Sequence, residues 1–271
     1  MIDFFAKLFS YGFIVRALIA GTLISLCAAF LGIILVLKRF SMIGDGLSHV
    51  AFGTMATAMA FNWAPLAVSI PICILAAFLL LKVSSSSNLK GDASIALISS
   101  SSLALGILIT SLTSGLNTDV TSFMFGSILA ISKADVWISV ALAATVISLF
   151  VVFYNRIFSV TFDEPFAKAA GIKTNAYNAL IAILTALTVV IGMRLMGAMM
   201  ISSLIVFPAL SAMQVFKSFF KVVIFSAIIS VFCFMAGILA SFAWSTPAGA
   251  SIVVANLIIF LLCSFIRKLF L

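Results

Sequence analysis

Residues 219–243 read FFKVVIFSAIISVFCFMAGILASFA, an unbroken apolar run in which Lys221 is the one charge. About 20 apolar residues, rising 1.5 Å each as an α-helix, cross the roughly 30 Å hydrocarbon core of a bilayer. Working outward from this run, the same length criterion predicts spans over 14–37, 42–62, 64–82, 93–115, 134–155, 174–193, 195–215 and 248–266. That makes nine helices, or eight if the first lies in the interface or the 174–215 region is less regular. The composition agrees. Hydrophobic residues make up 65% of the 271 and charged residues 8%, against about 25% charged in soluble domains. Mean hydropathy is +1.37. A soluble fold cannot hide that much apolar surface, because roughly half of any globular surface faces water. The expectation is an all-α polytopic membrane protein with a single transmembrane domain over 1–271, solvated by the lipid bilayer.

Fifteen Lys and Arg against seven Asp and Glu give a net charge of +8, spread thinly along the chain. In such a chain the excess encodes topology and not a phosphate-binding patch, which excludes nucleic acid as a partner. Alternating nine spans puts Lys38, Arg39, Lys82, Lys90, Arg156, Lys168, Lys173, Lys217, Lys221, Arg267 and Lys268 on one side. Lys7, Arg16, Lys133 and Arg194 fall on the other. The richer side is cytoplasmic, so the N-terminus is expected outside and the C-terminus inside. The first eleven residues carry no cleavage site, so no cleaved signal peptide is expected. Cys27, Cys73, Cys233 and Cys263 all lie in apolar runs with no CxxC pair and read as small apolar residues. Residues 83–92 are Ser-rich and polar, a loop. Residues 117–133 are apolar but too short to cross, and read as a short surface or re-entrant helix.

No GxxxxGK[ST] phosphate loop, HExxH or GxSxG occurs. ATP hydrolysis is therefore not expected of this polypeptide, and no catalytic residue is assigned. The chemically informative stretch runs from Lys38 to Gly53, KRFSMIGDGLSHVAFG. Asp45 and His49, the chain's one histidine, are four apart and share a helix face. An ionisable group at the centre of a membrane helix costs about 2.5–3.5 kcal/mol on insertion scales, so such groups line pathways or cavities. Carboxylate plus imidazole is half of a first-row metal site, and a second copy across a two-fold axis completes four ligands. Three alternatives compete: a pair with Lys38 or Arg39, a helix cap, or a structural Asp–His hydrogen bond. Gly44, Gly46 and Gly53 fit either reading, since small residues let helices approach in lipid. Arg194 reads as snorkelling to water, and Asp119 and Asp135 as solvated loop residues on the same side. Met193, Met196, Met199 and Met200 read as packing filler. Pro208 and Pro247 mark kinks or helix ends.

Residues 156–174, RIFSVTFDEPFAKAAGIKT, suggest a short amphipathic helix. Asp163 is its N-cap, Glu164 and Pro165 form its first turn, and Gly171 stops it. Either it lies idle in the interface, or it docks a cytoplasmic subunit.

Five stretches in order carry a resemblance. FLGIILVLKRFSMIGDGLSHVAFG (30–53), FMFGSILAISKADVW (123–137), FDEPFAKAAGI (162–172), MRLMGAMMISSLIVFPALSA (193–212) and STPAGASIVV (245–254) resemble the ABC-3 permeases of bacterial metal importers. Residues 163–165 read Asp-Glu-Pro where that family has Asp-Pro-Glu. The resemblance implies a type II importer-like permease in the bacterial cytoplasmic membrane, assembled as a homodimer. It further implies a cytoplasmic ABC ATPase dimer and an extracytoplasmic metal-binding protein as partners. Asp45 and His49 match the Asp-x-x-x-His that lines the metal path, and Phe162, Asp163, Glu164, Phe166, Ala167 and Gly171 match the ATPase-coupling loop. The cargo would be Zn2+ or Mn2+, with Fe2+ a third candidate, and no permanently bound cofactor is expected. The rivals are a permease for a chelate such as siderophore or cobalamin, an intramembrane acid–base enzyme using Asp45 and His49, and a proton-driven secondary transporter.

Overall fold

The computed structural model describes residues 12–84, 91–113, 126 and 131–270. Among them there are eleven helices, named here in chain order: α1 Gly12–Leu37, α2 Ile43–Ala60, α3 Pro65–Ser84, α4 Gly91–Leu112, α5 Lys133–Val152, α6 Tyr154–Phe162, α7 Glu164–Ala169, α8 Thr174–Met196, α9 Ala198–Val215, α10 Phe219–Trp244 and α11 Ala248–Phe270. All the expected spans appear as helices. Eight of the described helices are long and apolar enough to cross a membrane. The ninth, α2, falls short in hydropathy rather than length. Gly44, Asp45, Gly46, Ser48 and His49 fill its first half, so neither α1 nor the 174–215 region is the weak span. The expected N-terminal segment, residues 117–125 and 127–130 of the apolar connector and the core of the 83–92 loop lie outside the described residues.

Helices α1 and α8 form the centre of the bundle. Some 72% of the apolar window of α8 and 67% of that of α1 is buried, against 17% for α4 and 22% for α11, whose leucines and isoleucines face outward. Helix α1 packs on α5, α8, α9 and α10, while α2 packs on α3, α4, α8 and α9. Two glycines set the closest approaches. A Cβ on Gly32 of α1 would lie 1.9 Å from the Ile205 carbonyl oxygen of α9, and one on Gly53 of α2 would lie 2.4 Å from the Ser102 carbonyl oxygen of α4. Backbone touches backbone at both places, which in lipid replaces the hydrophobic drive that holds soluble helices together. The glycines of α2 are thus packing residues. Several hydroxyls inside the helices return to carbonyls of their own helix, as Thr54 to Val50 (2.9 Å) and Thr57 to Gly53 (2.7 Å), and Ser230 of α10 donates to the Ser25 carbonyl of α1 (2.8 Å).

The cysteines are buried and free. Met193, Met196 and Met200 are core, while Met199 is 44% exposed. Pro208 sits buried within α9, which continues past it, and Pro247 directly precedes α11. One boundary differs from expectation. Helix α5 ends at Val152, and Tyr154–Phe162 forms a separate short helix in place of the tail of a span. The aromatic side chains of Tyr154, Phe158 and Phe162 leave the line of α5 to gather on Phe219.

A second difference concerns the end of the bundle where α5 starts. Asp135 is 4% exposed, not solvated. It is N3 of a capping box: Ser132 N–H (3.0 Å) and Ser132 O–H (2.7 Å) donate to its carboxylate, and its own N–H donates back to Ser132 Oγ (3.2 Å). Arg194, at the last turn of α8, points its guanidinium at the same carboxylate at 3.2 Å. Arg194 therefore pins α8 to the start of α5 and does not simply reach for water.

Candidate metal path and docking helix

Helix α2 begins without a side-chain cap: Met42 is the N-cap residue and makes no capping bond. Asp45, three positions on, does not serve as the cap. Nor does it pair with Lys38, whose ammonium is held elsewhere by Glu164 (3.1 Å) and Asn178 (2.6 Å). Most of α2 is buried, but Met42, Asp45 and His49 form a stripe along one face that stays open. Asp45 is 44% exposed at its side chain and His49 23%. On the facing helix α9, the Ser202 hydroxyl lies 3.2 Å from Asp45 Oδ1, with Ala198 carbonyl as its alternative acceptor at 3.1 Å. Ser202 and Met199 share one face of α9, three residues apart, and widen the open stripe. Sequence reasoning passed over Ser202. The signal available was a Ser-Ser pair inside an otherwise apolar helix.

The pair makes no private hydrogen bond. His49 Nε2 lies 3.6 Å from Asp45 Oδ2, beyond hydrogen-bond length. Two ligands at about 2.1 Å from a tetrahedral ion are roughly 3.4 Å apart. The observed separation is close to that bite, so an ion could be accepted with little movement of either side chain. Among the described residues no three of His, Cys, Asp and Glu come together. One copy of the chain therefore offers two strong ligands, plus a hydroxyl oxygen on Ser202. The stripe that carries them faces away from the bundle's own core.

The second expected site lies where α1 ends and α8 begins. Asp163 accepts the Phe166 N–H at 2.9 Å and caps α7, with Glu164 and Pro165 in the first turn. The helix closes through a Schellman motif. Ile172 N–H donates to Ala167 carbonyl (3.0 Å) and Gly171 N–H to Lys168 carbonyl (3.1 Å), with Gly171 at φ +82°. Ala167 is fully buried, while Phe162 is 56% and Phe166 66% exposed. Two large aromatic rings thus stand out on the same short feature, which is the composition of an interface anchor. The expected helix, capped at Asp163 and stopped at Gly171, is α7, and α6 precedes it with Asp163 (φ −145°) at the junction.

Glu164 does more than start α7. One carboxylate oxygen accepts from Lys38 Nζ (3.1 Å) and the other from Asn178 Nδ2 (2.8 Å), and Lys38 also donates to Asn178 Oδ1. Lys38 is only 9% exposed. This triangle ties α7 to the end of α1 and the first turns of α8. Arg156 donates to the Tyr177 hydroxyl (3.0 Å) nearby, and Arg267 reaches Gln214 (2.7 Å) between α11 and α9. Basic side chains thus gather at the end of the bundle that carries α7, and the Asp135–Arg194 pair marks the other end.

Comparison with known proteins gives the same picture along the whole chain. The manganese import system permease protein ScaB of Streptococcus gordonii is 29% identical over 264 residues, covering 97% of this chain and 95% of that protein. The high-affinity zinc uptake system membrane protein ZnuB of Haemophilus influenzae is 28% identical over 253 residues, 93% of this chain and 97% of that one. Among solved structures, PsaBC from Streptococcus pneumoniae in complex with Fab superposes with a TM-score of 0.87 at 28% identity, covering 98% of this chain and 96% of the other. The match to the ABC 3 transport family extends over residues 10–267, and the chain belongs to that family.

Proposed function

We propose that this chain is the membrane permease subunit of an ATP-binding-cassette importer that moves divalent transition metal ions, Zn2+ or Mn2+, into the cytoplasm. The observation that carries the reading is the Asp45–His49 pair, 3.6 Å apart on an open stripe of α2 and spaced for one cation. Two copies meeting on that stripe bring four ligands to a two-fold axis. Relatives that carry manganese and zinc in their names support the choice of cargo. Fe2+ fits the same ligands. A bulky chelate would gain nothing from two ligands set at a metal's bite, and membership of a transport family replaces the intramembrane-enzyme alternative.

Work is supplied from outside the chain. A pair of ATPase subunits engages the exposed rings of Phe162 and Phe166, which are held in place by the Asp163 cap, the Glu164 bonds to Lys38 and Asn178, the buried Ala167 and the Gly171 stop, and an extracytoplasmic binding protein delivers the ion at the opposite end. The basic end of the bundle faces the cytoplasm of a bacterial cell, with the N-terminus outside and the C-terminus inside. ATP binding and hydrolysis move α7 and switch the dimer between outward-open and inward-open states. Few ligands hold the ion, so it leaves readily.

The test is uptake of radioactive zinc and manganese by cells carrying Asp45→Asn or His49→Ala. Both variants are expected to lose uptake while reaching the membrane at normal level; wild-type uptake by both removes the pair from the path. Deletion of 163–170 is expected to abolish capture of the ATPase by the tagged permease, and undiminished capture rejects the docking role.

A further inference from the structure

The triangle Lys38–Glu164–Asn178 has a consequence for the path of force through the molecule. Lys38 directly follows α1, and Arg39 comes next in the left-handed region at φ 62°. For a β-substituted residue that conformation is uncommon, so the chain turns sharply here. The turn is held by Phe40 N–H on Leu35 carbonyl (2.7 Å), Arg39 N–H on Val36 carbonyl (3.0 Å) and Ile43 N–H on Phe40 carbonyl (3.0 Å). Helix α2 starts at Ile43 and Asp45 lies in its first turn. Lys38 and Asp45 are therefore separated by only six residues of turn and first helical turn, with backbone hydrogen bonds along them. Gly44 rests on the Ile205 side chain of α9, and Ser202 of the same helix holds Asp45. Glu164 of α7 thus meets the nearly buried ammonium of Lys38, and the bonded turn joins Lys38 to the first turn of α2. Charge-assisted bonds to a buried ammonium are the strong kind.

We infer that Lys38 is a positioning residue which couples the docking helix α7 to the Asp45–His49 site, rather than a charge that merely marks membrane topology. This rests on the reading of the chain as an ATP-driven metal permease, and it adds a route by which nucleotide chemistry reaches the ion. Lys38 is 9% exposed, so it offers almost no surface to a docked ATPase. Its loss should leave docking and ATP turnover intact while disconnecting them from transport. Allosteric couplings typically correspond to roughly 5–150-fold effects, so a loss of about tenfold or more in transport is expected.

The experiment uses the permease with its ATPase and binding protein, reconstituted in vesicles, and compares the wild type with Lys38→Met, Lys38→Arg and the exchange Lys38→Glu with Glu164→Lys. Three quantities are read: ATPase captured, ATP hydrolysed, and radioactive manganese or zinc taken up per ATP. The inference expects Lys38→Met to capture and hydrolyse within about twofold of wild type but to carry at least about tenfold less metal per ATP. Lys38→Arg and the exchanged pair should recover most of it. Unchanged metal per ATP in Lys38→Met overturns the inference. So does a parallel fall in capture, which would make Lys38 part of the docking surface. If Lys38→Met fails to assemble, the exchanged pair decides: recovered coupling supports the link and uncoupled turnover refutes it. A wild type that carries no metal under ATP refutes the proposed function itself, an outcome separate from all of these.

Discussion

Replacing Gly53 by Ala tests the packing that positions the proposed metal path. Gly53 lies one helical turn beyond His49 on α2, and its Cα faces the backbone of α4. The added Cβ would sit 2.4 Å from Ser102 Oxygen and 3.1 Å from its carbonyl carbon, where ordinary contact begins at 3.4 Å. Both atoms are main chain, so no rotamer change relieves the clash. The two helices must separate by about 1 Å, and Gly106 of α4, whose own Cβ position lies 2.7 Å from Gly53 Cα, loses its seat as well. Overpacking of this kind costs typically 1–3 kcal/mol. For a chain of this length each kcal/mol lowers Tm by roughly 2–4 °C, so a fall of several degrees is expected in detergent-solubilised protein followed by fluorescence. Gly12→Ala is the control, since nothing lies within 4 Å of its Cβ position. Because the displacement moves α2 itself, metal uptake should fall further than expression does. Equal melting of Gly53→Ala, Gly12→Ala and wild type would refute the backbone contact, and with it the argument that α2 is held by its glycines.

Three further outcomes follow from the geometry. Ser202→Ala removes a donor to Asp45 without touching the two strong ligands; a net loss of about 0.5–1.5 kcal/mol should raise the apparent KM for metal by roughly two- to tenfold, measured as uptake against metal concentration. Arg194→Met strands a carboxylate that is 4% exposed but keeps two bonds from Ser132; with Arg194 itself 42% exposed the cost should be about 1–2 kcal/mol, below that of a fully buried pair, and adding Asp135→Asn should return part of it in thermal unfolding. Gly171→Ala forces a β-carbon into φ +82° and should loosen the Schellman stop of α7 by about 1 kcal/mol, seen as weaker capture of the ATPase with unchanged folding of the bundle.

The positions and order of the long helices were legible in the sequence because hydrocarbon imposes a length on a crossing helix, and apolar runs such as 219–243 meet it without help from neighbours. The cap at Asp163 and the stop at Gly171 were legible for a like reason: they depend on residues within one or two turns. Asp45 and His49 could be picked out by spacing alone, but not the choice among their partners. Only the fold brought Glu164 to Lys38 across 126 residues and so freed Asp45 from the pairing that adjacency suggested. Only the fold set Ser202 beside Asp45 across 157 residues and drew Arg194 onto a buried Asp135. Lateral packing of helices in lipid obeys close approach and polar satisfaction rather than periodicity, and those are properties of pairs of surfaces that no single stretch of chain contains.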